Sequence, residues 1–486
     1  MTQTSNRKMK KTKIVCTIGP SSQNVETLKE LINAGMNVAR INFSHGGIEE
    51  QEEKINNVKI AREELNVPVA LLLDTKGPEI RTGKLLEDWV TLQDGETITF
   101  TTEEILGDKN SVSVSYKELY KEVTPGTTIL IDDGTIETVV KEIQGTNIIC
   151  EITHGGKLGS RKSINVPGAC LNLPSLAEKD IKDIKDGINA GFDYIAASFV
   201  RKAQDVFEIR KLLEENGGHD IKIISKIENR EGIDNFDEIL EASDGIMVAR
   251  GDLSVEIPME EVPIFQKQFI KKCYNAGKIV ITATQMLESM MNNPRPTRAE
   301  VSDVANAIFD MSTGIMLSGE TALGKYPVEC VKTMSKIAET IENSIRYSKR
   351  FKNRETDFSN VSYEYNMNHS ICETAMNMNA AAIFAYTEAG DTPRMVSSFT
   401  PDCPIYAVTT NERTYRQLSL SWGVYPILLK PNNNINILLT EAIGKVKADG
   451  RLKDGDDIVI AGGAMVVPGQ TQEDTINRII GGVLKI

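Results

Sequence analysis

Nowhere in this 486-residue chain does an apolar run reach the length needed to cross a bilayer. The basic start, Arg7 to Lys13, is followed by Ile14 to Ile18, a run too short for a signal peptide that stops at Gly19-Pro20. Membrane insertion and secretion are not expected, and the expected compartment is the cytoplasm. Paired cysteines are missing as well. Cys16, Cys150, Cys170, Cys273, Cys330, Cys372 and Cys403 stand singly, which argues against a disulfide frame and for reduced thiols. Positive charge is in deficit: the net charge of −13 argues against a general nucleic-acid or membrane-surface role. An anionic small molecule stays open, because a local cluster of Lys, Arg and cations overrides a distant negative surface.

What the chain does contain is an alternation. Its 40% hydrophobic and 25% charged content supports sizeable cores, and its length predicts two to four domains. Eight times between Lys13 and about Ile345, a short β-rich run is followed by a helical pattern. The first strand is predicted over Lys13–Ile18, before a helix with Val25, Leu28, Leu31 and Ile32 on one face, closed by Gly35. The second is Val38–Phe43. The third, Val67–Asp74, is nearly all apolar, as strands buried on both faces of a parallel sheet are. Strands four to eight are predicted at Tyr194–Phe199, Ile221–Ile227, Gly245–Val248, Lys278–Thr284 and Gly314–Leu317.

Between strands three and four the pattern changes. From about Gly77 to Pro174, short β runs (Thr97–Phe100, Thr128–Ile131, Ile136–Ile143, Ile148–Ile152) alternate with turn signals such as Asp94-Gly95 and Asp133-Gly134. So long a segment is no ordinary βα loop, and it predicts an inserted β domain at the mouth, where a lid is useful. The polar stretch Tyr347–Asn360 reads as a linker. Beyond it, strands at Ala382–Tyr386, Ile405–Val408, Ile427–Leu429 and Ile458–Ala461 alternate with helices. The predicted class is α/β: a (β/α)8 TIM barrel interrupted by an inserted β-barrel lid domain, plus a C-terminal α/β domain. The expected divisions are 1–76, 77–173, 174–345 and 346–486. An open doubly wound sheet is the alternative.

Polar residues with chemical capability stand at the ends of most of these strands, where active sites of βα barrels sit. In Ile224-Ser225-Lys226-Ile227-Glu228, Lys226 and Glu228 point the same way and Ile227 the other. They form either a structural salt bridge or a cation and a carboxylate presented to a ligand. Arg40, Asn42 and Ser44 also share one face. Arg suits phosphate or carboxylate, while Asn and Ser oxygens suit a hard monovalent cation. Asp74 ends strand three, where a carboxylate is costly to bury unless it is paired or metal-bound. Glu228 and Asp252 together could hold Mg²⁺, which takes one or two carboxylates plus substrate oxygens and water. Thr282, Thr284, Ser318 and Glu320 offer hydroxyls and a carboxylate for proton relay. The segment Gly319 to Lys325 has P-loop spacing, but Tyr326 stands where the Mg²⁺-binding hydroxyl belongs, and Glu320 would put negative charge into a phosphate cradle. A P-loop is rejected.

Together these segments closely resemble pyruvate kinase over essentially the whole chain. The matching stretches are Thr17 to Ser21 (TIGPS), Asn37 to His45 (NVARINFSH), Asp74 to Gly83 (DTKGPEIRTG), Ile224 to Asn229 (ISKIEN), Met247 to Pro258 (MVARGDLSVEIP), Ala283 to Met290 (ATQMLESM), Arg295 to Ala305 (RPTRAEVSDVA) and Met316 to Ala322 (MLSGETA). The resemblance implies transfer of the phosphoryl group of phosphoenolpyruvate to ADP, giving pyruvate and ATP in the last step of glycolysis. By the same resemblance, Lys226 would stabilise charge on the transferring group and Arg40 would contact the phosphate. Glu228 and Asp252 would ligate Mg²⁺ or Mn²⁺. Asn42, Ser44, Asp74 and the Thr75 carbonyl would hold K⁺. His45, Arg81 and Lys162 would lie on the phosphate and nucleotide side. The N–H groups of Gly251 and Asp252, with Thr284, would hold the substrate carboxylate. Thr284, Ser318 and Glu320 would lie near the path that protonates the enolate.

The resemblance also implies a homotetramer, a regulatory C-terminal domain, and a chain without the additional C-terminal domain of some bacterial members. Thr387 to Arg394 resembles the family's effector-phosphate loop, with Thr387, Gly390 and Thr392 as candidates for a phosphorylated small-molecule activator. Asp391 and Pro393 depart from that pattern. Ser254 and Ser163 stand where the family usually has Gly, and Glu79 matches the form that goes with K⁺ dependence. Two further readings remain: a metal-dependent barrel aldolase or lyase acting on pyruvate enolate, and a catalytically inactive regulatory homologue.

Overall fold

A computed structural model describes residues 9–44, 46–169, 171–354, 362–462 and 481–486. Its centre is a closed barrel of eight strands, all paired in parallel: Lys13–Thr17, Val38–Asn42, Ala70–Asp74, Tyr194–Ala197, Lys222–Ile227, Gly245–Ala249, Ile279–Ala283 and Gly314–Leu317. Side chains alternate between two cores. Val15, Val38, Leu72, Tyr194, Ile224, Met247 and Ile281 fill the barrel interior, while Ile14, Ile41, Leu73, Ile223 and Val248 pack outward under the helices. Lys226 has the parity of Ile224, and Asp74 that of Leu72. Both therefore enter the interior at the C-terminal end of the barrel. Leu420, from the C-terminal part of the chain, joins the interior cluster and helps close the opposite end.

The strands stop earlier than their apolar runs. Phe199 and Thr284, each predicted as strand, take positive φ of 56° and 66° and turn the chain out of the sheet. Val67 to Val69 lie before strand three, because Val67 N–H caps the preceding helix at the Arg62 carbonyl. Helix ends follow local chemistry: Asn24 caps Val25–Ala34 by accepting from Thr27 N–H, and Thr297 with Glu300 forms a capping box on Arg298–Phe309.

Between strands three and four lies a seven-stranded sheet. A bridge between Thr82 and Val114 draws its two edges together around a core of Ile98, Phe100, Ile129, Ile131, Ile136 and Ile148. Short strands that the sequence hides, including Ile80–Arg81 and Ser163–Asn165, pair with each other where the insertion leaves the barrel. They are too brief for an alternation to show. The C-terminal part is a five-stranded sheet, with Ala382–Tyr386 between Ile405–Thr409 and Asp457–Ala461 and with Val424–Leu428 and Gly481–Lys485 at the edges.

The stretch Tyr347–Asn360, expected as a linker, begins instead as the helix Tyr347–Lys352. Tyr347 and Phe351, four apart, bury one face of it. Its residues 355–360 lie outside the described residues. No described helix is long and apolar enough to cross a membrane.

Candidate active site

Lys226 rises from strand five into the mouth. Its Nζ lies 2.9 Å from Glu228 Oε1, 3.1 Å from Asp74 Oδ1 and 2.8 Å from Ser198 Oγ. An ammonium has three N–H groups, and all three are engaged. Burial works against its charge, but Asp74, Glu228 and Asp252 outweigh burial and raise its pKa, so the amine stays protonated. On the far side of Asp74, Arg40 Nε donates to Oδ2 at 2.5 Å and Arg40 Nη1 donates to Thr17 Oγ1 at 2.8 Å. Burial alone would push the Asp74 carboxyl up. The two flanking cations prevail and hold it below the ordinary carboxylate range.

Asn42 and Asp74 face each other in register across strands two and three. Asn42 Oδ1 accepts from Ser44 N–H at 3.0 Å, and the Thr75 carbonyl accepts from Ser198 Oγ at 2.6 Å. Asn42 and Asp74 thus stand at adjoining strand ends beside Ser44 and Thr75, and their amide, carboxylate, hydroxyl and peptide oxygens are the donor types that fit a hard monovalent cation.

Glu228 is buried and completes its bonding through Phe199 N–H, 2.6 Å from Oε2. Burial raises its pKa; Lys226 opposes that shift and Asp252 adds to it. A divalent cation beside Glu228 and Asp252 would relieve this repulsion. Among the described residues there is no group of three or more His, Cys, Asp or Glu side chains able to hold a metal, so the remaining coordination would fall to substrate oxygens and water. Asp252 stands at a junction. It lines a cavity of about 700 Å³ at the barrel mouth, with Arg40, Lys226 and Thr284, and another of about 410 Å³ under the insertion, with Arg81, Lys162 and Phe199.

Gly251 N–H donates to Thr284 Oγ1 at 2.8 Å, and that hydroxyl donates to the Ala283 carbonyl at 2.6 Å. A β-branched residue at positive φ is strained, and Arg250 holds the strain in place. Its Nη2 donates to the Thr284 carbonyl at 2.6 Å and its Nη1 to both oxygens of Asp303 at 2.7 Å. Ser318 lines the same mouth cavity, but Glu320 is turned into the protein. Its oxygens accept from Leu287 N–H at 3.0 Å and Ser318 N–H at 2.7 Å, so it braces two loops. Thr282 is buried against Ser312, its Oγ1 2.7 Å from the Ser312 hydroxyl, and stays away from the mouth.

Across the second cavity, Arg81 Nε donates to Glu79 Oε2 at 2.7 Å and Lys162 Nζ to Asp132 Oδ1 at 3.0 Å. His45 lies outside the described residues. Ser254 Oγ donates to the Gly251 carbonyl at 2.7 Å, and Ser163 Oγ to Asp133 Oδ1 at 2.9 Å. Both departures from Gly are thus absorbed by local hydrogen bonds. In the C-terminal sheet, Thr387 Oγ1 accepts from Gly390 N–H at 2.8 Å, just before the helix Asp391–Ser398. Gly390 has φ +94°, and a Cβ there would lie 2.7 Å from Arg394 Nη1. Thr392 is in the first turn of that helix.

Sequence reasoning misses Ser198, Arg250 and Asp132. Ser198 had a signal: Tyr194, Ala196 and Ser198 share the parity of the barrel interior. Arg250 and Asp132 act through partners far away in the chain, which leaves no local trace.

Residues 9–331 match the model of the pyruvate kinase barrel domain, and residues 366–477 that of the pyruvate kinase alpha/beta domain. The chain is 50% identical over 457 residues to a pyruvate kinase of Clostridium acetobutylicum, covering 94% of this chain and 96% of that one. It is 49% identical over 476 residues to one of Geobacillus stearothermophilus, covering 97% and 80%. A solved pyruvate kinase from Cryptosporidium parvum superposes with a TM-score of 0.93 at 40% identity, covering 98% of this chain and 96% of that one.

Proposed function

The chain belongs to the pyruvate kinase family and transfers the phosphoryl group of phosphoenolpyruvate to ADP; from that premise we propose how its own residues share the work. The observation that carries the proposal is the Lys226 ammonium, held charged between Asp74 and Glu228 beside the carboxylate common to both cavities.

Phosphoryl transfer depends on positioning and charge stabilisation more than on covalent catalysis. A divalent cation on Glu228 and Asp252, with K⁺ on Asn42, Ser44, Asp74 and the Thr75 carbonyl, would supply positive charge against the substrate's anionic groups. Lys226 turns an N–H to the phosphoryl group as it leaves the enol oxygen. Arg40, braced by Asp74 and Thr17, contacts the same phosphate. The N–H groups of Gly251 and Asp252 receive the substrate carboxylate, with Thr284 yielding the bond it now makes to Gly251. Arg81 and Lys162 approach the nucleotide from the insertion. The insertion also keeps water from replacing ADP as acceptor. The enolate left behind takes a proton on carbon to become pyruvate, and we assign the Thr284 and Ser318 hydroxyls, which line the mouth cavity, to that path. Glu320 serves as their brace.

Scattered reduced thiols support a cytoplasmic setting: all six described cysteines are free. A homotetramer and a phosphorylated small-molecule activator at Thr387, Gly390 and Thr392 complete the reading. Sedimentation of the full chain tests the first.

The experiment for the reaction is a coupled pyruvate assay with ADP, Mg²⁺ and K⁺, run on the wild type and on Lys226→Met. The wild type makes ATP and pyruvate in equal amounts, and the variant loses roughly a thousandfold or more in rate. ATP-independent cleavage of a keto acid would favour a lyase instead. A wild type without turnover would favour a regulatory homologue.

A further inference from the structure

We propose that Ser198 is a positioning residue for phosphoryl transfer, whose hydroxyl aims Lys226 while tying it to the Thr75 carbonyl of the monovalent-cation site. The inference rests on the roles given above to Lys226 and Thr75.

Lys226 is buried, and its three N–H groups go to Glu228, Asp74 and Ser198. The first two partners have other duties. Glu228 is committed to a divalent cation, and Asp74 divides its oxygens between Lys226 and Arg40. When Glu228 serves a cation, the N–H it now accepts is released toward a phosphoryl oxygen. Two anchors then define where the ammonium points. Ser198 is the neutral one, so it holds the amine without competing for its charge.

The Ser198 hydroxyl has a single proton, and the Thr75 carbonyl at 2.6 Å takes it; the Asp74 oxygen lies at 3.3 Å. Its lone pairs therefore face Lys226. The residue is itself fixed on every side. Ser198 N–H donates to Thr75 Oγ1 at 3.0 Å, Thr75 N–H donates to the Ala196 carbonyl at 3.0 Å, and Phe199 N–H holds Glu228 at 2.6 Å. Successive groups, the Ser198 hydroxyl and the Phe199 N–H, thus reach both members of the Lys226–Glu228 pair. Gly77, where the insertion begins, packs so tightly here that a Cβ would lie 2.8 Å from Ser198 Cβ. Gly77 therefore cannot take a side chain without pushing Ser198 or Phe199 aside.

The test uses the full chain with Ser198→Ala, and Ser198→Cys as a partner that keeps the volume where Ala fails to fold. We expect kcat to fall roughly tenfold to a hundredfold, the scale of a misplaced catalytic group. Calorimetric affinity for phosphoenolpyruvate with Mg²⁺ and K⁺ is expected to stay within about threefold, because the loss is confined to the transition state. The K⁺ concentration for half-maximal rate rises as the Thr75 carbonyl loses its donor. Wild-type kcat and K⁺ response in a folded variant would overturn the inference. So would a loss of affinity equal to the loss of kcat, which makes Ser198 a binding group and not an aiming one. A wild type that makes no ATP would remove the functional reading itself, a result separable from either variant.

Discussion

Arg416 reaches from the C-terminal α/β part to the foot of barrel strand four and places Nε 3.0 Å from Oδ1 and 3.2 Å from Oδ2 of Asp193, a carboxylate with no exposed surface. Next to it, Gln417 Nε2 donates to the carbonyls of Asp193 and Asp220, and Tyr194 OH donates to the Gln417 carbonyl at 2.6 Å. Strand four ends at Ala197, and Ser198 follows it directly, four residues on from Tyr194. The C-terminal part therefore grips the start of the strand whose end holds the reacting lysine.

Arg416→Met should expose the cost of that buried carboxylate. Removing one partner of a buried pair typically costs about 3–5 kcal/mol. The penalty has a definite pH dependence. Burial raises the Asp193 pKa, opposed by Arg416, and loss of the arginine raises it further. A carboxyl whose folded pKa lies above its unfolded value lends stability below the unfolded value and loses it as pH rises through the folded one. Melting of variant and wild type should converge in acid and diverge toward neutrality. Asp193→Asn in the same chain should recover part of the loss. A gap independent of pH would show that Asp193 is not the cause.

The barrel is legible in the sequence because its strands are apolar on both faces and its helices carry one apolar stripe. Lys226, Glu228, Arg40 and Asp74 are legible for the same reason, since each breaks such a run at its end. Glu320 shows the limit. A carboxylate after strand eight looks chemically available, yet two backbone N–H groups claim it. The Asp193–Arg416 contact spans 223 positions and carries no local pattern, so only the fold reveals it. Tyr347–Asn360 misleads because its polar composition hides Tyr347 and Phe351, one helical turn apart.

Lys13 offers a second titration at the same junction. It is buried with Nζ 2.6 Å from the Val424 carbonyl, and burial, reinforced by Lys10 and opposed by Glu342, lowers its pKa to about 7. An unfolded lysine holds its proton to about 10.4. The unfolded chain therefore binds more protons between those limits, and stability should rise with pH across that window. Lys13→Met removes the titration. The stability difference, wild type minus variant, should grow from about pH 7 to about pH 10 in urea titrations, and a flat difference would refute the assignment.

At the Thr387 loop, a phosphorylated activator has to displace the bond between Gly390 N–H and Thr387 Oγ1 and tolerate Asp391, whose side chain is exposed. Sugar phosphates should convert a sigmoidal phosphoenolpyruvate curve to a hyperbolic one, with half-saturation falling severalfold. Thr387→Val should blunt that response. Hyperbolic kinetics indifferent to every phosphate tested would remove the activator from this loop.

The oxygens of Asn42, Ser44, Asp74 and Thr75 bear on the choice of monovalent cation. Asp74 carries its negative charge firmly, since Arg40 and Lys226 hold its pKa down against burial. At neutral pH the carboxylate is ionised whether or not a cation is bound, and no proton competes for it. Turnover with Mg²⁺ should fall at least about tenfold when K⁺ is replaced by choline at constant ionic strength, an effect of about 1.4 kcal/mol or more on the barrier. The loss should be reversible on adding K⁺ and insensitive to pH between about 6 and 8, because Asp74 titrates well below that range. Asp74→Asn removes the charge that the cation, Arg40 and Lys226 all share. Its turnover should be low in either buffer, with little gain from K⁺. Full turnover of the wild type in choline would mean that these four oxygens organise the mouth through Arg40 and Lys226 alone.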